Sequence, residues 1–258
     1  MIWTTRPRSN IAGLGCLRAG SGPQVLFLHG VGLRADAWNP IIDHYAGRYT
    51  VLAPDMLGHG DSPVPTAPHP TLADYTDAAA GLIDSGAVVV GHSMGAMMAL
   101  DMAIRYPRKI RAVVALNAIF ERTPDAAQQV RARAAALTGL IDPGPALTRW
   151  FNGANTPEAT ACAAWLRGVD PAGYKTAYQI FAAENGPDRA DLRTLACPAV
   201  FITGGREENS TPQMSQTMAQ IAPMGRAEII EDAGHMLPMT HPDRLCAILD
   251  GLLEGTQA

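Results

Sequence analysis

The segment Gly91-His92-Ser93-Met94-Gly95 constrains the fold of this chain more than any other feature of its sequence. It follows an apolar run, Ala87 to Val90, and precedes a segment of helical period that extends to Tyr106. A G-x-S-x-G pattern between a strand and a helix is typical of a sharp turn that strains its central residue, with glycines that make room for neighbouring backbone. We expect this turn to project the Ser93 hydroxyl from the carboxyl edge of a sheet, where open α/β sheets bind ligands.

Short apolar runs alternate with segments of helical period along most of the chain, a pattern typical of buried parallel strands connected by helices. The predicted strands are Val25 to His29, Thr50 to Ala53, Ala87 to Gly91, Ala112 to Leu116, Ala199 to Thr203 and Ala227 to Ile230. The predicted helices are Thr71 to Ser85, Met94 to Tyr106, Thr211 to Ala222 and one that opens at His241-Pro242-Asp243. We therefore expect an α/β fold with a mostly parallel, doubly wound sheet.

One stretch interrupts this alternation. Residues 118–190 contain alanine-rich helical pieces broken by prolines and no convincing strand. We interpret them as a helical cap inserted into a core formed by residues 1–117 and 191–258. The stretch carries seven basic and seven acidic side chains, so the net charge of −4 belongs to the core.

The charge pattern narrows the range of partners. Only 17% of the residues are charged, and no block of basic residues occurs, which argues against nucleic acid or a membrane surface as a partner. A small-molecule substrate fits this composition better. The chain begins without the apolar run of a signal peptide, so we expect a soluble cytoplasmic protein. The sequence leaves its oligomeric state open.

The positions of the cysteines and histidines indicate which of them have structural roles and which could take part in catalysis. Cys16, Cys162, Cys197 and Cys246 are far apart, so we expect buried reduced thiols and neither a disulfide framework nor a metal site.

A serine nucleophile needs a base, and an imidazole oriented by a carboxylate is the usual one. His235 follows the last predicted strand, on a loop at the same edge of the sheet as Ser93. We predict His235 as the base and His241, before Pro242, as a structural helix cap.

Four segments together resemble the α/β-hydrolase superfamily, and the resemblance covers nearly the whole chain. They are Leu28-His29-Gly30-Val31-Gly32, Asp55 to Ser62, Gly91 to Gly95, and Ala233-Gly234-His235-Met236-Leu237-Pro238. The resemblance implies the α/β-hydrolase fold and a catalytic triad in the order Ser, acid, His. It also implies an oxyanion hole from the backbone N–H groups of Val31 and Met94, and a role for His29 in organising the first of these loops. The Met94 N–H lies at a predicted helix N-terminus, where the helix dipole favours negative charge.

The acid loop departs from the family pattern. Similar proteins have an Asp three residues after the glycine that ends the strand, whereas this chain reads Gly204-Gly205-Arg206-Glu207-Glu208-Asn209. Counting from Gly204 gives Glu207 and counting from Gly205 gives Glu208. We favour Glu207, because Ile202 then keeps the usual spacing from the strand. Glu208 stays open as the acid, and so does Glu121, which follows the preceding predicted strand.

These residues predict hydrolysis of a small carboxylic ester or lactone through an acyl-enzyme, with no cofactor or metal. In the insertion, Thr148-Arg149-Trp150-Phe151 and Asp170-Pro171-Ala172-Gly173-Tyr174 are similar to 3-oxoadipate enol-lactonases, whose substrate carries a carboxylate. We therefore predict Arg149, Trp150 and Trp165 as substrate-binding residues.

Two other functions stay open on the sequence alone. Carbon–carbon bond hydrolases of aromatic ring-cleavage pathways share the fold and triad, but typically have Asn before the serine, where this chain has His92. The other is a small-molecule receptor that retains a vestigial triad.

Overall fold

A computed structural model describes residues 3–255 and centres on an eight-stranded sheet of order β1-β2-β4-β3-β5-β6-β7-β8. The strands are β1 (Ser9–Ile11), β2 (Leu14–Ala19), β3 (Gln24–Leu28), β4 (Thr50–Pro54), β5 (Ala87–His92), β6 (Ile110–Leu116), β7 (Ala199–Gly204) and β8 (Gly225–Ile230). β2 pairs antiparallel with β1 and β4, and the other pairings are parallel. The predicted α/β fold with a mostly parallel sheet is confirmed.

Helices cover both faces of this sheet. They are a 3-10 helix (Ala35–Trp38), α1 (Asn39–Tyr45), α2 (Leu72–Ala80), α3 (Met94–Arg105), α4 (Pro124–Ala135), α5 (Gly144–Phe151), α6 (Pro157–Gly168), α7 (Pro171–Ala183), α8 (Arg189–Arg193), α9 (Pro212–Ile221), α10 (Leu237–Thr240) and α11 (Pro242–Gly255). Helices α4 to α8 lie between β6 and β7; α4 to α7 fall within residues 118–190, the stretch interpreted as an insertion, and α8 crosses its end. Within residues 3–255, no helix has the length and apolar character needed to cross a membrane.

Local sequence explains where the helices between β6 and β7 begin. Helices α4, α6 and α7 each have proline in the first turn, where a missing N–H costs no hydrogen bond. Each also has a preceding side chain, Thr123, Thr156 or Asp170, that accepts a hydrogen bond from a first-turn amide. The prolines therefore start new helices.

Two apolar layers enclose the sheet. In β3, Leu26 and Leu28 pack into one layer, and Val25 and Phe27 pack into the other. This alternation follows from the two-residue period of a strand, and burial on both faces explains why the strands appear as continuous apolar runs. All four cysteines are buried and unpaired.

The N-terminal hairpin differs from the sequence-based expectation, which assigned no strand before Val25. β1 and β2 are joined by a turn at Ala12 and Gly13, whose φ angles are 50° and 85°. β1 has partly polar, mostly exposed residues, so it carries no apolar run by which it could be recognised. Helix α2 also ends at Ala80, five residues before the predicted end at Ser85.

Candidate active site

Ser93 occupies the turn between β5 and α3 in a strained conformation, with φ 56° and ψ −118°. A side chain at Gly91 would collide with the Gly95 carbonyl, and one at Gly95 would collide with the Leu28 carbonyl. The Ser93 N–H donates to the Leu116 carbonyl at 2.9 Å, which ties the turn to the end of β6. The two glycines therefore permit a backbone that L-residues seldom adopt, and β6 holds that backbone in place.

His235 and Glu207 form a buried pair. His235 Nδ1 lies 2.8 Å from Glu207 Oε2, and the side chains are 14% and 2% exposed. Glu207 Oε1 also accepts hydrogen bonds from the amides of Asn209 at 2.8 Å and Ser210 at 3.2 Å. Burial alone would raise the pKa of Glu207, but His235 and these amides lower it to about 2. An ionised Glu207 accepts a hydrogen bond from the Nδ1–H group and thereby favours the tautomer in which Nε2 carries the free lone pair.

The other two carboxylates considered for this position lie elsewhere. Glu208 is exposed at the rim of the cavity, and Glu121 forms a surface ion pair with Arg189 at 2.6 Å. Within residues 3–255, Glu207 is the carboxylate that contacts the His235 ring. His241 contacts Thr240 and lies 3.5 Å from exposed Asp232, just before α11.

The backbone of His235 is held from two directions. The carbonyl of His235 accepts hydrogen bonds from His92 Nε2 at 2.8 Å and from Asn117 Nδ2 at 2.7 Å. Burial lowers the pKa of His92 to about 3, so His92 stays neutral and keeps this donor. Asn117 Oδ1 accepts from the Gly204 amide at 3.3 Å, which connects the loops after β6 and β7. Asn117 was not predicted from the sequence; its φ of 50° suits Asn better than most residues.

The loop that contains Val31 passes beside Ser93, since a side-chain carbon at Gly30 would lie 3.0 Å from Ser93 Cβ. His29 Nε2 accepts from the Met56 amide at 2.8 Å, and its Nδ1 lies 2.8 Å from the Gly30 carbonyl. His59 Nε2 accepts from the Gly32 amide at 2.9 Å. Burial lowers the pKa values of His29 and His59 to about 3 and about 4. Both rings are therefore neutral supports of this loop.

Val31 and Met94 lie where their amides are expected to form an oxyanion hole. Val31 lines the same cavity as Ser93. Met94 directly follows Ser93 and is the first residue of α3. In residues 3–255, neither N–H donates a hydrogen bond to another protein group. Both donors are therefore available to a ligand oxygen.

The cavity has a volume of about 350 Å³ and is lined by Ser93, His92, His235 and residues of the insertion. The Ser93 hydroxyl makes no hydrogen bond to His235 within residues 3–255. Catalytic hydrogen bonds are often long in unliganded sites and tighten when substrate binds. Within the same residues, no cluster of His, Cys, Asp and Glu side chains could hold a metal ion.

Two of the three predicted substrate-binding residues line this cavity. They are Arg149 and Trp150, and the Trp150 ring lies nearly parallel to the His235 ring with 6.1 Å between centroids. Trp165 lies elsewhere, in an apolar cluster with Leu33, Cys162 and Met239. A tryptophan is suited both to a binding cavity and to an apolar cluster, so residue type alone does not predict in which of the two Trp165 lies. Tyr178 also lines the cavity, as do Arg122 and Arg133, which no motif in the sequence marks as binding residues.

A second buried cluster lies outside the cavity lining. Arg8 is 3% exposed and contacts Asp36 at 2.6 Å and Asp55 at 3.0 Å, and both carboxylates are fully buried. Asp55 also accepts hydrogen bonds from the amides of Ala35 at 2.8 Å and Asp61 at 2.9 Å. Burial raises the pKa of Asp55, but Arg8 and these contacts bring it below its usual value. The cluster ties the N-terminal segment to the loops after β3 and β4.

Comparison with known proteins agrees with this architecture. A model of the "Alpha/beta hydrolase family" matches residues 25–248. The chain is 33% identical over 263 residues to "(E)-2-((N-methylformamido)methylene)succinate hydrolase" of Acinetobacter baylyi, covering 99% of this chain and 100% of that protein. An enol-lactonase from Burkholderia xenovorans LB400 superposes with a TM-score of 0.84 at 22% identity, over 96% of this chain and 100% of that one. A thermophilic esterase from Thermogutta terrifontis has a TM-score of 0.85 at 24% identity, over 98% of this chain and 100% of that one. The chain belongs to the alpha/beta hydrolase family.

Proposed function

We propose that this protein is a serine hydrolase that cleaves a small carboxylic ester or lactone through an acyl-enzyme. The observation that carries the proposal is the buried Glu207–His235 pair, at 2.8 Å, on the same cavity as the strained Ser93. The proposed roles are nucleophile for Ser93, general base and acid for His235, and orienting carboxylate for Glu207. Residues 118–190, which contain helices α4 to α7 and the start of α8, are proposed to form the cap over this site.

The reaction follows from these roles. His235 Nε2 takes the hydroxyl proton as Ser93 Oγ attacks the acyl carbon, and the amides of Val31 and Met94 stabilise the oxyanion. The imidazolium then gives the proton to the leaving oxygen, and the carbon–oxygen bond to the leaving group breaks. Water, deprotonated by the same ring, releases the acid and restores Ser93. In a lactone, the leaving oxygen remains joined to the acyl chain through its carbon skeleton, so a single ring-opened acid is released.

Glu207 suits the orienting role although it is one methylene longer than Asp. Two backbone amides bind its Oε1, so the carboxylate has a fixed orientation despite the extra rotatable bond. Its Oε2 is thereby presented to His235 Nδ1. An ionised carboxylate in this position holds the tautomer in which Nε2 is free to accept a proton and stabilises the imidazolium.

Short-chain esters and a fluorophosphonate probe test this proposal. Wild-type protein is expected to hydrolyse the esters and to gain one covalent adduct by mass spectrometry, and Ser93→Ala should lose both. Ser85→Ala is the matched control, because Ser85 is exposed and does not line the cavity, and it should keep both the turnover and the adduct. Equal turnover by wild type and Ser93→Ala, or an adduct at another residue, would exclude Ser93 as the nucleophile.

A second candidate substrate is an N-acylaminomethylene succinate. The observation that favours it is the relative named for such a compound, to which this chain is 33% identical along its full length. Three arginines in the cavity fit the two carboxylates of a succinate. Comparing kcat/KM for an (acylaminomethylene)succinate with that for a simple ester decides between the two. A preference of less than about tenfold, which corresponds to about 1.4 kcal/mol, would disfavour the succinate.

A further inference from the structure

Arg122 is a buried cation on the wall of the cavity. It follows the loop after β6 and is 9% exposed, and it lines the same space as Ser93 and His235. Placing a guanidinium away from water costs free energy unless charged or hydrogen-bonding partners replace the water. The partners of Arg122 therefore indicate what the site is built to hold.

These partners are neutral. Arg122 Nη1 donates to the Glu184 carbonyl, Nη2 donates to the Phe181 carbonyl at 3.2 Å, and the guanidinium carbon lies 4.7 Å from the Phe181 ring centroid. No carboxylate of residues 3–255 lies within ion-pair distance of it. Arg8, which is similarly buried, contacts two carboxylates. Arg122 is thus fixed in place by carbonyls, with N–H groups left over from its five donors.

The surrounding cavity adds positive charge. Arg133 and Arg149 line the same space, and neither forms an ion pair within residues 3–255. Arg133 Nε instead donates to the Tyr178 hydroxyl at 3.3 Å. The acidic side chain on the cavity wall is Glu208, which is exposed. An anionic group of a ligand would balance this excess and take up the remaining guanidinium donors.

We infer that Arg122 binds a carboxylate of the substrate, so that the enzyme selects acyl compounds carrying a carboxylate in addition to the bond that is cleaved. The inference rests on the proposed function, because that function identifies the cavity as the substrate site. The carbonyls of Glu184 and Phe181 fix the guanidinium before substrate arrives, which limits the side-chain entropy lost on binding. The charge of the site, rather than its shape alone, then sets specificity.

Monomethyl and dimethyl succinate form a matched pair for the test, because they differ by one negative charge. The quantity measured is the ratio of kcat/KM for the anionic ester to that for the neutral ester. Arg122→Met is expected to lower this ratio by about 10- to 100-fold, the range for losing a charge-assisted hydrogen bond. Arg122→Lys should lose less, because it keeps the charge. Arg131→Met is the control, since Arg131 is exposed on the same helix, α4, as Arg133 and does not line the cavity; its ratio should match wild type. An unchanged ratio in folded Arg122→Met overturns the inference.

Succinate binding separates failure of this inference from failure of the proposed function. In the Ser93→Ala background, succinate should raise the melting temperature, and Arg122→Lys or Arg122→Met should weaken that rise. If wild type hydrolyses neither ester but succinate still stabilises the protein through Arg122, the proposed function fails and the anion site stands. If succinate stabilises the Arg122 variants as strongly as the parent, the anion site is wrong whatever the ester rates are.

Discussion

Asp55 and Glu207 are both buried carboxylates with lowered pKa values, and each is hydrogen-bonded by two backbone amides. Their cationic partners differ. Asp55 contacts Arg8, whose guanidinium stays protonated at any pH at which the protein is folded. Glu207 contacts His235, whose ring opens on the cavity beside Ser93, and an imidazole can serve as a proton donor or acceptor.

Burial and a lowered pKa therefore do not by themselves identify a catalytic carboxylate. The Arg8 cluster satisfies both criteria, yet its members lie outside the lining of the cavity. The partner distinguishes the two sites, because an imidazole can transfer a proton and a guanidinium cannot. We therefore expect substitutions at Glu207 to affect turnover and substitutions at Arg8 to affect stability.

The largest expected effect is on turnover in Glu207→Gln. The amide keeps the shape of the side chain but can present its NH₂ to His235 Nδ1, which favours the wrong tautomer. We expect kcat to fall by about 10³- to 10⁴-fold, as in other triads that lose the orienting charge. Glu208→Gln is the matched control and should stay close to wild type. A greater loss in Glu208→Gln would transfer the role of the acid to that residue.

The second effect is on stability in Arg8→Met. Removing the guanidinium leaves Asp55 buried without its cation, while Arg34 still contacts Asp36 at 3.0 Å, and the loss should cost about 3–5 kcal/mol in the free energy of unfolding by urea. Arg6→Met is the control, because Arg6 pairs with the largely exposed Asp43 and should change stability by about 1 kcal/mol or less. The folded fraction of Arg8→Met should keep most of its kcat. A loss of kcat as large as in Glu207→Gln, with stability intact, would contradict the structural role of the cluster.

A smaller effect on turnover is expected in Asn117→Gly. Glycine tolerates the positive φ of this position, so the substitution removes the hydrogen bonds to the His235 carbonyl and the Gly204 amide without adding backbone strain. We expect kcat to fall by about tenfold, corresponding to roughly 1.4 kcal/mol, with a smaller change in KM. Asn117→Ala should be worse, since it adds strain. Unchanged kcat in Asn117→Gly would show that His92 alone holds the carbonyl.

The smallest effect concerns acid stability. The folded pKa of His59 is lowered to about 4, below its unfolded value, so the unfolded chain takes up a proton first as the pH falls below about 6.5. Stability should therefore decrease from pH 7 to 5.5. In His59→Gln the decrease should be about 1 kcal/mol smaller, measured by urea unfolding at both pH values. His69→Gln, at an exposed position, should leave the decrease unchanged. An identical decrease in His59→Gln would mean that His59 is protonated in the folded protein.

The parts of the fold predicted from sequence are those that local pattern determines. β3 to β7 have apolar runs because helices bury both faces of the sheet, whereas the edge strand β8 is only partly buried and contains Arg226 and Glu228. β1 was not predicted because it forms through pairing with β2 and through the neighbouring Arg8. The partners of Arg8 lie about 30 and 50 residues away in sequence. Long-range contacts of this kind leave no local periodicity.

The candidate site divides in the same way. Ser93, His235 and Glu207 lie on one cavity or contact one another, and each was identified from a short motif next to a predicted strand. Asn117 and Arg122 have no such motif. The roles proposed for them depend on which carbonyls and carboxylates the fold places near them. The position of Trp165 in an apolar cluster likewise depends on the fold, and no local motif predicts it.

The order of the cavity residues along the chain has a consequence for biosynthesis. The loop that contains Val31 and the proposed nucleophile Ser93 lie in the first 93 residues, whereas Glu207 and His235 lie in the last quarter of the chain. Synthesis proceeds from the N-terminus, so the ribosome exposes the proposed nucleophile well before its proposed base. A chain truncated before residue 207 is therefore expected to lack esterase activity even where its first strands are in place.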